Sequence, residues 1–257
     1  MYTPKAKKHL GQHFLHQRSV AERIVHLLEI GPQDRVLEIG PGPGALSGLL
    51  KAAQPACLLL VEKDPYWARD RQKAGDGQVV LMDALLFAWS RITAERPWKI
   101  VGNLPYNVAS PLLWDIASQA AGLQRALCMV QKEVALRIVA SPGTKRYGAL
   151  SVWMQSFLLP RLVFTLGAGA FTPPPKVESA LVAFTPLPLK QRATEQAALA
   201  SLLKICFQNR RKQLRSIFRM HNKTYALPIL RELDIDPQQR PEYLTPKLFQ
   251  QLSARLY

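Results

Sequence analysis

The sequence is short of cysteine, of acidic residues and of long apolar runs. Its three cysteines, Cys57, Cys128 and Cys206, are odd in number, far apart and embedded in apolar segments. They predict reduced core thiols rather than a disulfide framework or a zinc site. No segment approaches the ~18 apolar residues of a membrane span, and the basic N-terminus lacks the apolar core of a signal peptide. We therefore expect a cytoplasmic protein with no membrane partner.

The balance of charge is strongly basic. Among 257 residues, 34 Lys and Arg stand against 18 Asp and Glu, which leaves a net charge of +16. A surface of this sign attracts polyanions, so nucleic acid is the first candidate partner. The apolar fraction of 48% agrees with a globular chain of one large or two smaller domains.

Residues 1–18 are predicted to form a basic N-terminal arm. Their apolar anchors show no sustained period, and the first helix is predicted only from residue 20, over 20–28. His9, His13 and His16 have spacings that a metal could use on a helix. Gly11 weakens that helix, and no cysteine or carboxylate lies near, so we predict no metal site.

Residues 36–62 have the order of a Rossmann-like opening unit. A strand over 36–39 is followed by a glycine loop at 40–44, a helix over 45–53 and a second strand over 57–61. Glu62 closes that strand 22 positions after Gly40, near the ~20 expected of a carboxylate that binds a ribose. The alternative is a solvated glutamate at a strand end. The order implies a nucleoside cofactor.

The prolines of the glycine loop favour one cofactor over another. Pro41 and Pro43 have no N–H, so the loop is poorly equipped to cradle a pyrophosphate. S-adenosylmethionine carries a methionine and a sulfonium in place of phosphates, and it suits such a loop. The spacing of Gly40, Gly42 and Ala45 alone still satisfies a permissive dinucleotide pattern, so a nicotinamide oxidoreductase is the alternative.

Two further strand ends bring polar residues to the same edge of the predicted sheet. Asp83 follows a third strand over 79–82, where its carboxylate can accept a hydrogen bond from an adenine amine or cap the next turn. Asn103 follows a fourth strand over 100–102. Carboxyl ends of parallel strands share one edge, so we expect Gly40, Glu62, Asp83 and Asn103 to meet there.

The corner from Asn103 to Tyr106 is the candidate catalytic segment. Asn103 offers a side-chain carbonyl, and Leu104, which precedes Pro105, is biased to an extended backbone that can direct its own carbonyl outward. With the ring of Tyr106, these groups form a receptor for a planar amine such as adenine. The alternative is an ordinary turn that ends a strand.

Further candidates lie in the second half of the chain. Phe171 begins a stiff proline loop before Lys176, and it can either stack on a base opposite Tyr106 or fill the core. Cations that could contact RNA phosphates occur in three clusters, and a solvated surface is the alternative for each. They are Lys132 and Arg137, Lys145 and Arg146, and Arg210, Arg211 and Lys212.

The fold class predicted from these patterns is α/β. A fifth strand over 123–130 and a pair over 163–166 and 179–184 complete a Rossmann-like sheet with helices on both faces. Beyond the proline-rich segment at 186–189 the strand pattern stops, and helices are predicted over 195–207, 214–220, 227–233 and 246–256. The predicted domains are an arm over 1–18, a Rossmann-like domain over 19–187 and a small α-helical C-terminal domain over 188–257.

Seven motifs together resemble the ribosomal RNA adenine dimethyltransferase family. They are GQHFL at 11–15, EIGPGPG at 38–44, VE at 61–62, DA at 83–84, NLPY at 103–106, QKEV at 131–134 and FTPPPKV at 171–177. The cluster NRRK at 209–212 and the triplet RPE at 240–242 look like the small-subunit branch of the family rather than its large-subunit branch.

The resemblance implies transfer of methyl groups from S-adenosylmethionine to N6 of two adjacent adenosines in the 3′-terminal hairpin of small-subunit rRNA. It implies cofactor contacts at His13, Leu15, Gly40, Glu62, Asp83 and Asn103, although many members have Asn in place of His13. The implied partner is the small ribosomal subunit during its biogenesis, and we expect a monomer. A non-catalytic assembly factor and a large-subunit rRNA dimethyltransferase are the alternatives.

Overall fold

The computed structural model describes Lys7 and residues 10–257. The other residues of the predicted arm, including His9, lie outside the described part of the chain. Contacts divide the chain into two compact units. The first unit contains the chain up to Ala135 together with Arg161–Pro186, and the second contains Leu136–Pro160 and Leu187–Tyr257. The predicted domain boundary placed residues 136–160 with the sheet, and the contacts group them with the C-terminal helices instead.

The helices and strands follow the sequence-based prediction closely. In chain order they are β1 Phe14–Leu15, α1 Arg18–Leu28, β2 Arg35–Ile39, α2 Ser47–Ala52, β3 Cys57–Glu62, α3 Pro65–Ala74, β4 Gln78–Leu81, β5 Trp98–Asn103, α4 Ala109–Gln119, β6 Leu123–Gln131, α5 Lys132–Ile138, α6 Ala149–Gln155, β7 Leu158–Leu166, β8 Phe171–Thr172, β9 Ser179–Pro186, α7 Gln196–Gln208, α8 Leu214–Met220, α9 Ala226–Glu232 and α10 Pro246–Leu256. The main differences are that β1 lies within the predicted arm, that β5 extends the predicted strand at both ends, that β7 begins five residues before the predicted strand, and that the first residues of the predicted proline loop form β8.

Seven strands form one sheet in the order β4-β3-β2-β5-β6-β9-β7, with helices on both faces. The first five are parallel, and β9 pairs antiparallel with β6. The Rossmann-like prediction is therefore confirmed. The parallel strands are nearly continuous apolar runs, as expected of strands that are covered on both faces. Their side chains and those of α1 form one core cluster, which includes Ile24, Val36, Leu60 and Val101.

Strand register brings the functional residues level with one another. Ile39 of β2 lies opposite Val61 of β3 and Gly102 of β5. The residues that come next along the chain, Gly40, Glu62 and Asn103, are therefore level with one another. The strand order reverses at β2, and such a reversal opens a crevice at the carboxyl edge of the sheet.

Within the second unit, the four predicted C-terminal helices are confirmed as α7 to α10. α10 begins sharply because Thr245 accepts a hydrogen bond from the Leu248 N–H at 3.2 Å and Pro246 occupies the first helical turn. The buried residues of this unit include Leu203 of α7 and Phe249 of α10. Across the described residues of both units, none of the helices has the length and apolar character needed to cross a membrane.

Candidate functional site

A cavity opens at the carboxyl edge of the sheet beside β2, β3 and β5. It encloses about 890 Å³, its open mouth included. Binding crevices of doubly wound sheets occupy this position. Nine predicted site residues line it: His13, Gly40, Gly42, Glu62, Asp83, Asn103, Leu104, Pro105 and Tyr106. The structure thus brings the sequence-predicted carboxylates, the glycine loop and the Asn103 corner to one site.

The glycine loop, residues 40–44, has no backbone N–H that is free to bind a ligand. Pro41 and Pro43 have none. The other three donate within the protein: Gly40 to Val61 O at 2.9 Å, Gly42 to Glu62 Oε2 at 3.0 Å and Gly44 to Pro41 O at 2.9 Å. A pyrophosphate is bound through free N–H groups of such a loop. This loop therefore lacks the donors that a dinucleotide requires.

The conformation of the loop favours glycine at three of its positions, because Gly40, Gly42 and Gly44 all have positive φ. Gly40 has φ of +65°, and no heavy atom lies within 4 Å of the position of a Cβ there. A ligand can therefore approach its backbone closely. Gly44 has φ of +92°, and a Cβ there would lie 1.8 Å from Arg71 Nη1.

Glu62 is a buried carboxylate whose orientation is fixed by two backbone donors. Its Oε2 accepts the Gly42 N–H, and its Oε1 accepts the Asp64 N–H at 2.8 Å. Burial raises the pKa of Glu62 above its ordinary value, and the two backbone hydrogen bonds oppose that rise. Each oxygen keeps a further lone pair, so the side chain can accept hydrogen bonds from the hydroxyls of a ribose.

Asp83 caps the turn that follows β4, as one of its two predicted roles required. Its Oδ1 accepts the Leu85 N–H at 3.0 Å, while Oδ2 pairs with Lys63 Nζ at 2.7 Å. The hydrogen bond from Lys63 holds the pKa of Asp83 below its ordinary value, so the side chain is an anion at neutral pH. The cap does not exclude the adenine contact, because the carboxylate lines the cavity and retains acceptor capacity.

Asn103 has a defined side-chain orientation. Its Nδ2 donates to the His13 carbonyl at 2.7 Å. A carbonyl only accepts, so the amide nitrogen must face the arm and Oδ1 must lie on the opposite side. Asn103 is one of the residues that line the cavity, and Oδ1 is the acceptor that this hydrogen bond leaves available.

The ring of Tyr106 is held from two sides. Its hydroxyl lies 2.5 Å from Ser179 Oγ, and its face stacks on the His13 ring with centroids 5.5 Å apart. The His13 ring is itself anchored, because its Nδ1 donates to the Pro173 carbonyl at 2.8 Å. Stacking on Tyr106 gives His13 a role that the sequence did not indicate. Ser179 was identified from the sequence only as the start of a strand.

Phe171 does not line the cavity. Phe171 is only 2% exposed and belongs to the core cluster, because β8 pairs with β1 and places Phe171 opposite Leu15. The structure therefore does not support the base-stacking role predicted for Phe171, and it favours the alternative that the ring fills the core. Leu15 is also buried, although it borders a smaller recess of about 300 Å³ next to Gly40 and Asn103.

Asp64 connects the N-terminal arm to the cofactor edge of the sheet. Its Oδ1 accepts from Lys7 Nζ at 2.8 Å and from the Tyr66 N–H at 3.1 Å, while Oδ2 accepts from Gln12 Nε2 at 3.0 Å. The Asp64 N–H holds Glu62. Sequence reasoning did not identify this residue, although an aspartate directly before a proline is a common helix start.

Glu38 is a further buried acid that the sequence-based prediction left without a role. Burial raises its pKa to about 8, and the Ser47 hydroxyl donates to Oε2 at 2.7 Å. Both side chains are at most 2% exposed. The group is therefore largely neutral at pH 7, and its hydrogen bond from Ser47 connects β2 to the start of α2.

The predicted RNA-binding cations have different surroundings. Lys132, in the first unit, pairs with Glu178 at 2.7 Å. In the second unit Arg210 Nε donates to Glu242 Oε2 at 2.6 Å. Four of the others, all in the second unit, are exposed: Lys145, Arg146, Arg211 and Lys212. Arg137 is exposed as well, near the end of α5.

Sequence comparison places the chain among methyltransferases of ribosomal RNA. Residues 3–256 match the family model described as ribosomal RNA adenine dimethylase. The chain is 55% identical over 251 residues to ribosomal RNA small subunit methyltransferase A of Nitratidesulfovibrio vulgaris, covering 96% of this chain and 94% of that protein. It is 50% identical over 258 residues to the protein of the same name from Oleidesulfovibrio alaskensis, covering 98% and 92%.

Two solved structures share the fold over nearly the whole chain. A dimethyladenosine transferase from Plasmodium falciparum superposes with a TM-score of 0.82 at 26% identity, covering 93% of this chain and 96% of that one. The 23S rRNA methyltransferase ErmE superposes with a TM-score of 0.70 at 24% identity, covering 95% and 99%.

Proposed function

Because this chain belongs to the ribosomal RNA adenine dimethylase family, we propose that it methylates N6 of adenosine in small-subunit ribosomal RNA with S-adenosylmethionine. The product is N6,N6-dimethyladenosine at two adjacent positions of the 3′-terminal hairpin, formed during assembly of the small subunit. The observation that carries the proposal is the orientation of Asn103, a residue that lines the cavity and whose amide oxygen is left available as an acceptor.

The residues of the cavity fit S-adenosylmethionine better than a dinucleotide. The glycine loop has no free N–H for a phosphate, and Glu62 and Asp83 add two carboxylates to the cavity. Glu62 can accept hydrogen bonds from the ribose hydroxyls, and Asp83 can accept one from the adenine amine. Gly40 allows close approach to the loop backbone. The bound cofactor supplies an electrophilic methyl group on a sulfonium.

The substrate amine needs positioning more than it needs a base. The N6 lone pair of adenine is delocalised into the ring, which makes the amine a poor nucleophile. Asn103 Oδ1 and the Leu104 carbonyl can each accept one N6–H, which holds the amine with its lone pair directed toward the methyl group. As the N–CH3 bond forms and the S–CH3 bond breaks, the cofactor's sulfur would be left as a neutral thioether. The methylated nitrogen then carries an excess proton, which it would lose to solvent, so no strong base is needed.

Tyr106 supports the adenine ring. A base that reacts must leave its stack, which costs a few kcal/mol. One face of Tyr106 is covered by His13, so the opposite face is the surface on which the base can stack. The hydrogen bond to Ser179 keeps that ring in place, and stacking offsets part of the cost of extrusion.

The direct test is methylation of under-methylated small subunits by purified protein with radiolabelled S-adenosylmethionine, followed by mapping of the labelled adenosines. We expect label on the two adjacent adenosines of the 3′-terminal hairpin. Unlabelled subunits would overturn the proposal. Label on large-subunit RNA alone would favour the large-subunit alternative.

The variant Asn103→Ala separates the enzyme from a non-catalytic assembly factor. It removes the amide acceptor, and loss of one aligned electrostatic contact lowers methyl transfer by roughly 10²–10³-fold. Binding to small subunits should remain, since the basic surface is unchanged. Full methylation by Asn103→Ala would refute the role of this side chain. Titration with NAD tests the oxidoreductase alternative, for which we expect no binding.

The partner and setting follow from the same proposal. The net charge of +16 supports binding to the rRNA of the small subunit, and the exposed cations of the second unit are the proposed phosphate contacts. We further propose that the protein acts as a monomer in the cytoplasm, where small subunits assemble. Sedimentation of the purified chain tests the first part of this proposal.

A further inference from the structure

The guanidinium of Arg210 is engaged through all three of its nitrogens within the second unit. Nε donates to Glu242 Oε2 at 2.6 Å, Nη1 donates to the Lys145 carbonyl at 2.8 Å, and Nη2 donates to the Thr144 carbonyl at 3.0 Å. Its charge is compensated by the Glu242 carboxylate, whose side chain is 16% exposed. A cation held in this way is a poor phosphate ligand, because an incoming phosphate would have to displace a carboxylate.

The two carbonyls that accept from Arg210 belong to the basic loop between α5 and α6, residues 139–148. The far end of this loop is anchored by Tyr147, which is fully buried and donates to the Leu244 carbonyl at 2.7 Å. Its middle is held by the Gly143 N–H, which donates to the Glu242 carbonyl at 2.7 Å. Between these anchors, the two hydrogen bonds from Arg210 fix the backbone that carries Lys145.

The loop and the turn that follows α7 line one open groove of the second unit. Its lining includes Lys145, Arg211 and Lys212, whose side chains are exposed and none of which has a carboxylate partner among the described ion pairs. Arg210 and Glu242 line the same groove. The neighbouring arginines 210 and 211 therefore have opposite surroundings, one held by protein acceptors and the other facing solvent.

We propose that Arg210 is a positioning residue for RNA binding and that Lys145, Arg211 and Lys212 make the phosphate contacts. Arg210 and Glu242 form a clamp that orders the loop before RNA arrives, so that the Lys145 charge is already presented beside the other two. This inference rests on the proposed function, because it assumes that the groove binds RNA. The planar guanidinium of Arg210 donates to two carbonyls and one carboxylate at once, and the ammonium group of a lysine cannot reproduce this geometry.

The test compares two variants that break the clamp differently. Arg210→Lys keeps the charge but loses the planar guanidinium, and Glu242→Gln removes the carboxylate but keeps the arginine. Arg215→Lys, at an exposed arginine of α8, is the matched control. Each protein is digested with trypsin under native conditions, and cleavage after Lys145 and Arg146 is followed by mass spectrometry. Binding to small subunits is measured in parallel.

Both clamp variants should be cleaved in the loop roughly tenfold faster than the wild type, since an ordered loop must open before cleavage. Both should also bind small subunits several-fold more weakly, even though Glu242→Gln makes the protein more positive. Arg215→Lys should match the wild type in both assays. If Arg210→Lys matched the wild type in loop cleavage and in binding, or if Glu242→Gln bound small subunits more tightly, the clamp would be refuted.

The two assays separate this inference from the proposed function. Cleavage in the loop reports on the clamp without any RNA. Wild-type protein that failed to bind small subunits would overturn the proposed function and the RNA-binding role together, whereas unchanged cleavage in either clamp variant would overturn the clamp alone.

Discussion

Asn103 shows how much of the proposed chemistry depends on one hydrogen bond. An amide side chain can present either its nitrogen or its oxygen to a ligand, and the two choices have opposite uses. The His13 carbonyl, 2.7 Å from Nδ2, decides between them because it can only accept. The backbone of the arm thereby determines which atom of Asn103 is available as an acceptor in the proposed catalytic corner, a role that the side chain of His13 does not share.

Glu62 leads to a prediction about pH. Because burial raises its pKa above 4.5, Glu62 takes up a proton at a higher pH than an ordinary glutamate does. The protonated carboxyl loses acceptor capacity for the ribose hydroxyls. We therefore expect the affinity for S-adenosylmethionine to be full near neutral pH and to weaken as the pH falls toward and through this raised pKa.

Calorimetric titrations between pH 7.5 and 5 measure this effect. In Glu62→Gln, affinity should be lower at pH 7.5 and the decline on the acidic side should be absent. Glu22→Gln, at an exposed position of α1, is the control and should follow the wild type. An acidic decline that persisted in Glu62→Gln would assign it to another group.

The start of α3 combines a structural and a functional task. Asp64 caps the helix through the Tyr66 N–H, and the same carboxylate binds Lys7 and Gln12 of the arm. Burial would raise the pKa of Asp64, but the hydrogen bonds from the two arm residues hold it below its ordinary value. Since residues 10–14 form one wall of the cavity, a helix cap here also determines the shape of the binding site.

The variant Asp64→Asn should therefore weaken the affinity for the cofactor, with little change in the melting temperature of the protein. Asparagine can still cap α3, but it lacks the charge and the second acceptor oxygen that hold the arm. Lys7 is 41% exposed, so screening reduces its share, and we expect a loss of about tenfold in cofactor affinity. Asp70→Asn, on the same helix, is the matched control for calorimetry and thermal melting. Equal losses in the two variants would contradict a specific role for the arm.

The molecule as a whole is a strongly basic chain in which like charges have unlike functions. The net charge of +16 provides the long-range attraction to RNA, and it does not distinguish one cation from another. Lys132 pairs with Glu178 and Arg210 with Glu242, whereas Arg211 and Lys212 face solvent. The number of cations available to RNA is thus smaller than the composition implies.

This distinction predicts a measurable salt dependence. The logarithm of the binding constant for small-subunit RNA should fall linearly with the logarithm of salt concentration. Arg211→Met should reduce the steepness of that line by about 0.7–0.9, the amount expected for one lost phosphate contact. Lys73→Met, in the last turn of α3, is the control for a simple change of net charge. Equal changes of slope in both variants would mean that Arg211 acts only through the overall field.

The sequence by itself determined the α/β class, most element boundaries and the residues that meet at the cavity. It could do so because these depend on local signals. Apolar runs mark buried parallel strands, and strands of this kind end at a common edge. Gly40, Glu62, Asp83 and Asn103 each follow such a run directly, so their convergence required no knowledge of distant contacts.

Only the tertiary structure decided what depends on partners far along the chain. Phe171 fills the core because β8 pairs with a segment more than 150 residues earlier, and no local pattern separates that outcome from base stacking. Residues 136–160 join the C-terminal helices through contacts that periodicity does not encode. Arg210 and Arg211 are adjacent and chemically identical, and only the position of Glu242, 32 residues away, makes one of them a clamp.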